Sequence, residues 1–174
     1  MLSLTLNALA AFPDQLQAHF AAFPVACRHW RPASWEGIPS EPFSAIEQLC
    51  HVRDIEVEGY QLRIRRTLSE DNPLLLSLDG AAMARERRYA EADADSVLAE
   101  FRRARRETLA LLGTLDAAQL QRPARFEGYG ELTLRSLLHY LCSHDQQHLA
   151  GLQWLLGKLA ATAPHAPAST PTCN

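Results

Sequence analysis

The sequence predicts an all-α protein, folded as an up-and-down four-helix bundle. No segment alternates apolar and polar residues over several positions with the β-branched enrichment that marks a strand. Alanine, leucine, arginine, glutamate and glutamine dominate instead, and these residues are good helix formers. Apolar residues recur at spacings of three and four, which places them on one face of a helix. Four such stretches joined by loops are typical of a helical bundle.

The four helices are predicted over residues 3–23, 44–68, 95–112 and 133–159. Pro13 predicts a kink or a break within the first helix. Ser44 and Glu47 form a capping box, which satisfies free backbone amides at the start of the second helix. Gly113 ends the third helix, and Thr133 is a good N-cap for the fourth.

Length and charge limit the organisation and the partners of the chain. The 174 residues suit one domain, predicted over residues 1–160, and the Pro-, Ala-, Ser- and Thr-rich residues 161–174 are predicted to be a disordered tail. The net charge of -3 gives no electrostatic reason to expect nucleic acid or an anionic membrane as a partner. No apolar run approaches the roughly 20 residues that span a bilayer, and the first residues lack the basic segment of a secretory signal. We therefore expect a cytoplasmic protein.

His144 and His148 are four residues apart on the fourth predicted helix, so their imidazoles stack on one face. That face is apolar and carries Leu137, Leu141, Leu152 and Leu155. Polar groups facing the interior without partners would be costly. A single core histidine is usually bonded to a nearby carbonyl, but two in register favour a shared metal ion.

His51 is the candidate third ligand, because its face of the second helix is partly inward. Packed helices have axes about 8–10 Å apart, so side chains on facing helices can meet at one ion. Three imidazoles leave coordination positions for water or substrate, as in catalytic metal sites. Such ligands suit zinc, nickel, copper or iron, and zinc or nickel is our first expectation.

Five further residues near these histidines have two interpretations each. Asp54, Glu58 and Asp145 could orient an imidazole through a hydrogen bond, or be solvated helix carboxylates. Cys50 and Cys142 could be small buried apolar residues, which we favour, or thiols near the metal.

The pattern resembles the DinB/YfiT-like superfamily of bacterial metal-binding four-helix bundles. A histidine in the second helix followed by H-D-x-x-H in the last is the specific part of the likeness, which covers most of the chain before the tail. The matching stretches, in order, are residues 11–13, 35–47, 51–56, 63–65, 101–105, 130–133 and 144–149. The resemblance implies that the family's three ligands correspond to His51, His144 and His148. It also implies a pocket open at one end and a homodimer.

Three functions are compatible with the sequence. Some members of the superfamily transfer a low-molecular-weight thiol to an electrophile or are thiol-dependent isomerases, so the resemblance places a metal-dependent thiol transferase first. A metal-dependent hydrolase is the second hypothesis, although no carboxylate can be named as its base. The third is a non-enzymatic, stress-related binder of a metal or small ligand.

Overall fold

The computed structural model describes residues 2–162 of the chain, and most of them are helical. The α-helices are α1 (Leu2–Ala21), α2 (Ala45–Asp54), α3 (Leu62–Ser69), α4 (Gly80–Glu86), α5 (Ala94–Leu112) and α6 (Leu134–Thr162). A π-helical segment, Ile55–Gln61, joins α2 to α3 in one continuous helix. Single turns of 3-10 helix occur at Val25–Cys27, Tyr89–Glu91 and Gln119–Gln121. No helix in the described part of the chain is both long and apolar enough to cross a membrane.

Buried side chains form two apolar clusters with a polar layer between them. The first cluster includes Phe12 of α1, Leu49 of α2, Phe101 of α5 and Leu152 of α6. The second includes Leu9 of α1, Ile64 of α3, Leu112 of α5 and Leu137 of α6. Arg105 of α5 and Asp145 and His148 of α6 lie between these two sets along their helices, and His51 and Glu56 lie on either side of the boundary between the sets on the α2–α3 helix.

The order of the clusters along each helix shows that the predicted up-and-down arrangement is wrong. Helices α1 and α6 run from the second cluster to the first, whereas α2–α3 and α5 run in the opposite direction. Helix α1 packs beside α5 and α6, and α2 packs beside the same two, so α1 and α2 face each other across the bundle diagonal. The long connection over residues 22–44 allows this crossover, which a short loop would prevent.

A small sheet corrects the prediction of a purely α-helical protein. Strands β1 (Leu74–Leu75) and β2 (Pro123–Phe126) pair in parallel, and β2 pairs antiparallel with β3 (Gly130–Thr133). Residue 74 lies opposite residue 125, and residue 126 lies opposite residue 130. Strands of two to four residues are too short to give a detectable alternation in the sequence.

The predicted helix boundaries are close to the observed ones. The capping box is present, with the Ser44 amide donating to Oε2 of Glu47 at 2.8 Å. Pro13 lies inside a single helix, α1. Helix α6 continues to Thr162, so the first two residues of the predicted disordered tail are helical. The rest of that tail, residues 163–174, lies outside the described residues.

Candidate metal centre

Three imidazoles from two helices converge in the polar layer. His51 lies on α2, and His144 and His148 lie one turn apart on α6. Nε2 of His144 lies 3.3 Å from Nε2 of His51 and 3.1 Å from Nε2 of His148. The candidate ligand atoms of the three residues all lie within 4.8 Å of one another. His51 and His148 are buried, and His144 is partly exposed.

Gln48 sets the orientation of His148. Its amide oxygen lies within hydrogen-bonding distance of Nδ1 of His148, and because that oxygen only accepts, Nδ1 must carry the proton. The amide nitrogen of Gln48 donates to Ser40 Oγ at 2.9 Å and to the Glu41 and Phe43 carbonyls at 3.3 Å, so the amide cannot flip without losing these bonds. Nε2 of His148 therefore keeps a free lone pair that faces the other two histidines.

The charge state of the three imidazoles suits a cation. Burial lowers the pKa of His148 well below its usual value and, with the charges of His51, Arg105 and Arg63, lowers the pKa of His144 to about 3. Burial also lowers the pKa of His51, against the opposing charges of Glu41 and Asp54. All three are therefore neutral near pH 7, which is the form that binds metals. Converging neutral nitrogens cannot all hydrogen-bond one another, so this donor set fits a divalent transition metal.

Gly80, the first residue of α4, packs directly against the ring of His51. A Cβ atom built on Gly80 would lie 2.6 Å from Cε1 and 2.9 Å from Nδ1 of His51, distances that real atoms do not tolerate. Nδ1 of His51 is buried and has no hydrogen-bond partner among the described residues. Packing rather than hydrogen bonding thus positions this imidazole.

Glu41 is a site residue that the sequence did not reveal. One of its carboxylate oxygens lies 3.4 Å from Nε2 of His51, and the other lies 3.4 Å from Nε2 of His148. Its side chain is 43% exposed, so the carboxylate is accessible to both the imidazoles and solvent. Glu41 lies in the irregular connection between α1 and α2, where no periodicity indicates which side chains face the bundle.

A cleft of about 120 Å³ opens beside the histidines. Its lining includes His51, His144, Glu41, Tyr60, Arg63, Phe126 and Tyr129. The sheet contributes to one wall, because Phe126 is in β2 and stacks on Tyr129 at 4.7 Å between ring centroids. A larger groove of about 510 Å³, lined by Arg31, Arg85 and Arg88, contains none of the three histidines.

The three carboxylates proposed to orient the imidazoles are bonded to arginines instead. Asp54 accepts from Arg87 at 2.7 Å and from the Tyr89 hydroxyl at 2.6 Å, and Glu58 also pairs with Arg87. Asp145 accepts two bonds from Arg105. Gln48, three residues before His51 on α2, makes the hydrogen bond to a candidate ligand instead.

The two cysteines near the histidines are protonated at neutral pH. Burial raises the pKa of the Cys50 thiol to about 12, and its Sγ contacts the Tyr89 carbonyl at 3.8 Å. Burial also raises the pKa of Cys142, which is partly exposed. Neither thiol belongs to the group of converging ligand atoms.

A bundle with three converging neutral histidines beside an open cleft defines a class of candidate metalloproteins. A sequence profile of the DinB superfamily matches residues 8–152, so the chain belongs to the DinB superfamily. The structure is similar to YfiT from Bacillus subtilis, which is described as a probable metal-dependent hydrolase with an unusual four-helix bundle topology. The TM-score is 0.79 at 20% identity, over 91% of this chain and 87% of that one, and this likeness shows the fold alone. No curated protein matches the sequence.

Proposed function

We propose that this protein is a metal-dependent hydrolase in which His51, His144 and His148 hold a divalent cation and Glu41 handles the proton of the attacking water. The observation that carries the proposal is the Glu41 carboxylate, 3.4 Å from two of the three ligand nitrogens. A divalent cation held by imidazoles lowers the pKa of a bound water to about 7 and polarises a carbonyl.

The chain's own residues supply the remaining steps. Gln48 keeps the lone pair of His148 directed at the site, and Gly80 leaves space for the ring of His51. Glu41 accepts the proton of water and returns it to the leaving group, since its partly exposed carboxylate can exchange protons with solvent. The aromatic side chains of Tyr60 and Phe126 line the cleft and provide apolar contact surface for a substrate.

The Glu41 carboxylate favours hydrolysis over thiol transfer. A thiol that coordinates a metal loses its proton outright, so its activation needs no adjacent base. Water begins with a much higher pKa and gains more from a carboxylate that accepts its proton. YfiT is described as a probable metal-dependent hydrolase, which is the same class of reaction, although that description concerns YfiT itself.

Replacement of Glu41 by Gln tests the proposal. We expect the zinc-loaded Glu41→Gln variant to hydrolyse p-nitrophenyl acetate roughly 10²–10⁴-fold more slowly than the wild type, as expected for loss of an acid–base group. Glu36→Gln is the matched control, because Glu36 is an exposed carboxylate of the same connection. Metal content measured on the same samples separates loss of the base from loss of the cation.

Two results would contradict the hydrolase. One is an esterase rate that is unchanged by Glu41→Gln or by metal removal. The other is a wild type that conjugates cysteamine to monochlorobimane only when zinc is present but hydrolyses no ester, which would support thiol transfer instead.

A further inference from the structure

Arg63 of α3 is a buried cation in the wall of the cleft. The residue is 6% exposed, and it lines the same cleft as His51 and His144. Its guanidinium lies over the Phe126 ring at 4.5 Å and over the Tyr60 ring at 5.2 Å. Nε and Nη2 donate to the Leu76 carbonyl at 3.2 and 2.8 Å.

Arg63 has no carboxylate within ion-pair distance among the described residues, unlike the other deeply buried arginine. All five N–H groups of Arg105 are used, by Glu56, Asp145 and the Leu9 carbonyl. Nη1 of Arg63 makes no hydrogen bond to residues 2–162. A buried charge without a counter-ion is costly. Cation–π contact with the Tyr60 and Phe126 rings stabilises the guanidinium, but neither ring carries a negative charge, so the cation remains without a counter-ion among the described residues.

The positive and the negative side chain of the cleft lie at different places in its lining. Arg63 is its cationic side chain, whereas Glu41 is its anionic one and lies beside the ligand nitrogens of His51 and His148. An anionic ligand is therefore attracted to the Arg63 side and repelled from the Glu41 side. This separation would hold a molecule in one orientation, with its reacting bond near the histidines.

We propose that Arg63 binds a carboxylate of the substrate, and that the substrates are small acyl compounds with a carboxylate close to the bond that is cleaved. The proposal rests on the proposed hydrolase function and specifies its substrate class. The cleft of about 120 Å³ has room for a compact carboxylate beside the histidines. The rings of Tyr60 and Phe126 suit the apolar carbons that carry it.

The test uses propionate, its neutral analogue propionamide, and inorganic phosphate. Each is titrated into the full chain without metal, and then with zinc, while the arginine Nε–H resonances are followed by NMR. We expect propionate to shift the Arg63 resonance and propionamide to leave it unchanged. Arg63→Met should weaken propionate binding about tenfold or more, since a hydrogen bond between charged groups is lost. Arg63→Lys should recover part of the affinity.

Arg65→Met is the matched control, because Arg65 is an exposed arginine of the same helix and should bind propionate like the wild type. Equal binding of propionate and propionamide to the wild type would overturn the proposal, and this comparison needs no variant that might misfold. Phosphate binding tighter than propionate would overturn the assignment to carboxylates.

Propionate binding without metal can hold even if the zinc-loaded chain cleaves no ester. Conversely, equal kcat/KM for anionic and neutral esters would reject only the role of Arg63.

Discussion

Two polar groups share the layer between the apolar clusters, and they differ in how completely their hydrogen bonds are satisfied. In the first group, Arg105 binds Glu56 and Asp145, and Thr108 donates to Glu56 at 2.6 Å. In the second group, three imidazole nitrogens face one another, and Nδ1 of His51 is buried without a hydrogen-bond partner among residues 2–162. The first group is complete within the chain, whereas the second leaves lone pairs available to a ligand.

This difference favours a structural role for the Arg105 group and a ligand-binding role for the histidine group. The Arg105 group links α1, α5, α6 and the π-helical segment through the bundle centre, and every N–H of the guanidinium is bonded. Burial raises the pKa of Asp145 to about 7, and Arg105 opposes that shift. The histidine group lies beside an open cleft and a partly exposed carboxylate, so it can exchange ligands with solvent.

The largest effect is expected from breaking the satisfied group with Arg105→Met. This change leaves Glu56 and Asp145 buried without their cation, which typically costs about 3–5 kcal/mol of unfolding free energy. Urea unfolding measures the loss. The matched variant Arg103→Met removes an exposed arginine of the same helix and should change stability by less than about 0.5 kcal/mol. Equal losses in the two variants would show that the buried cluster is not the structural centre.

A smaller effect is expected from Gln48→Leu, which removes the bond that orients His148. Loss of such an outer partner typically lowers metal affinity 10–100-fold. Competition with a chromogenic zinc chelator measures the affinity. Gln147→Leu is the control, because Gln147 is exposed on α6 between the two ligands. Unchanged zinc affinity in Gln48→Leu would mean that the tautomer of His148 does not depend on this bond.

The smallest expected effect is a change in the pH dependence of stability. Folded His144 stays neutral to about pH 3, whereas an unfolded imidazole binds a proton near pH 6.5. Between these values the unfolded state holds one more proton, so the metal-free protein loses stability as the pH falls below about 6.5. At pH 5 the slope should be about 1.4 kcal/mol per pH unit smaller in His144→Asn. Equal slopes in the two proteins, measured by urea unfolding from pH 4 to 7, would contradict the neutral state of His144.

The helix content and two of the candidate ligands could be predicted from the sequence for a physical reason. The i, i+4 spacing of His144 and His148 is a local property of one helix, and their apolar neighbours show which face is buried. The Ser44–Glu47 capping box is equally local, and it is present in the structure. His51 was indicated only in part by periodicity, and the family resemblance supplied the remainder.

The features that the sequence did not reveal depend on long-range packing. The direction of α5 and α6 relative to α1 depends on how the connections over residues 22–44 and 70–93 cross the bundle. Glu41 and the strands of the small sheet lie in irregular segments, where no period indicates the direction of a side chain. The pairing of Asp145 with Arg105, rather than with a histidine, joins residues 40 positions apart.

Zinc titration of the metal-free chain tests the histidine site most directly. Isothermal calorimetry should give one zinc per chain for the wild type, and His144→Ala should weaken binding by more than the 10–100-fold typical of an outer partner. His139→Ala, an exposed histidine one turn earlier on α6, should retain the wild-type affinity. One equivalent of zinc bound by His144→Ala with the wild-type affinity would contradict the site.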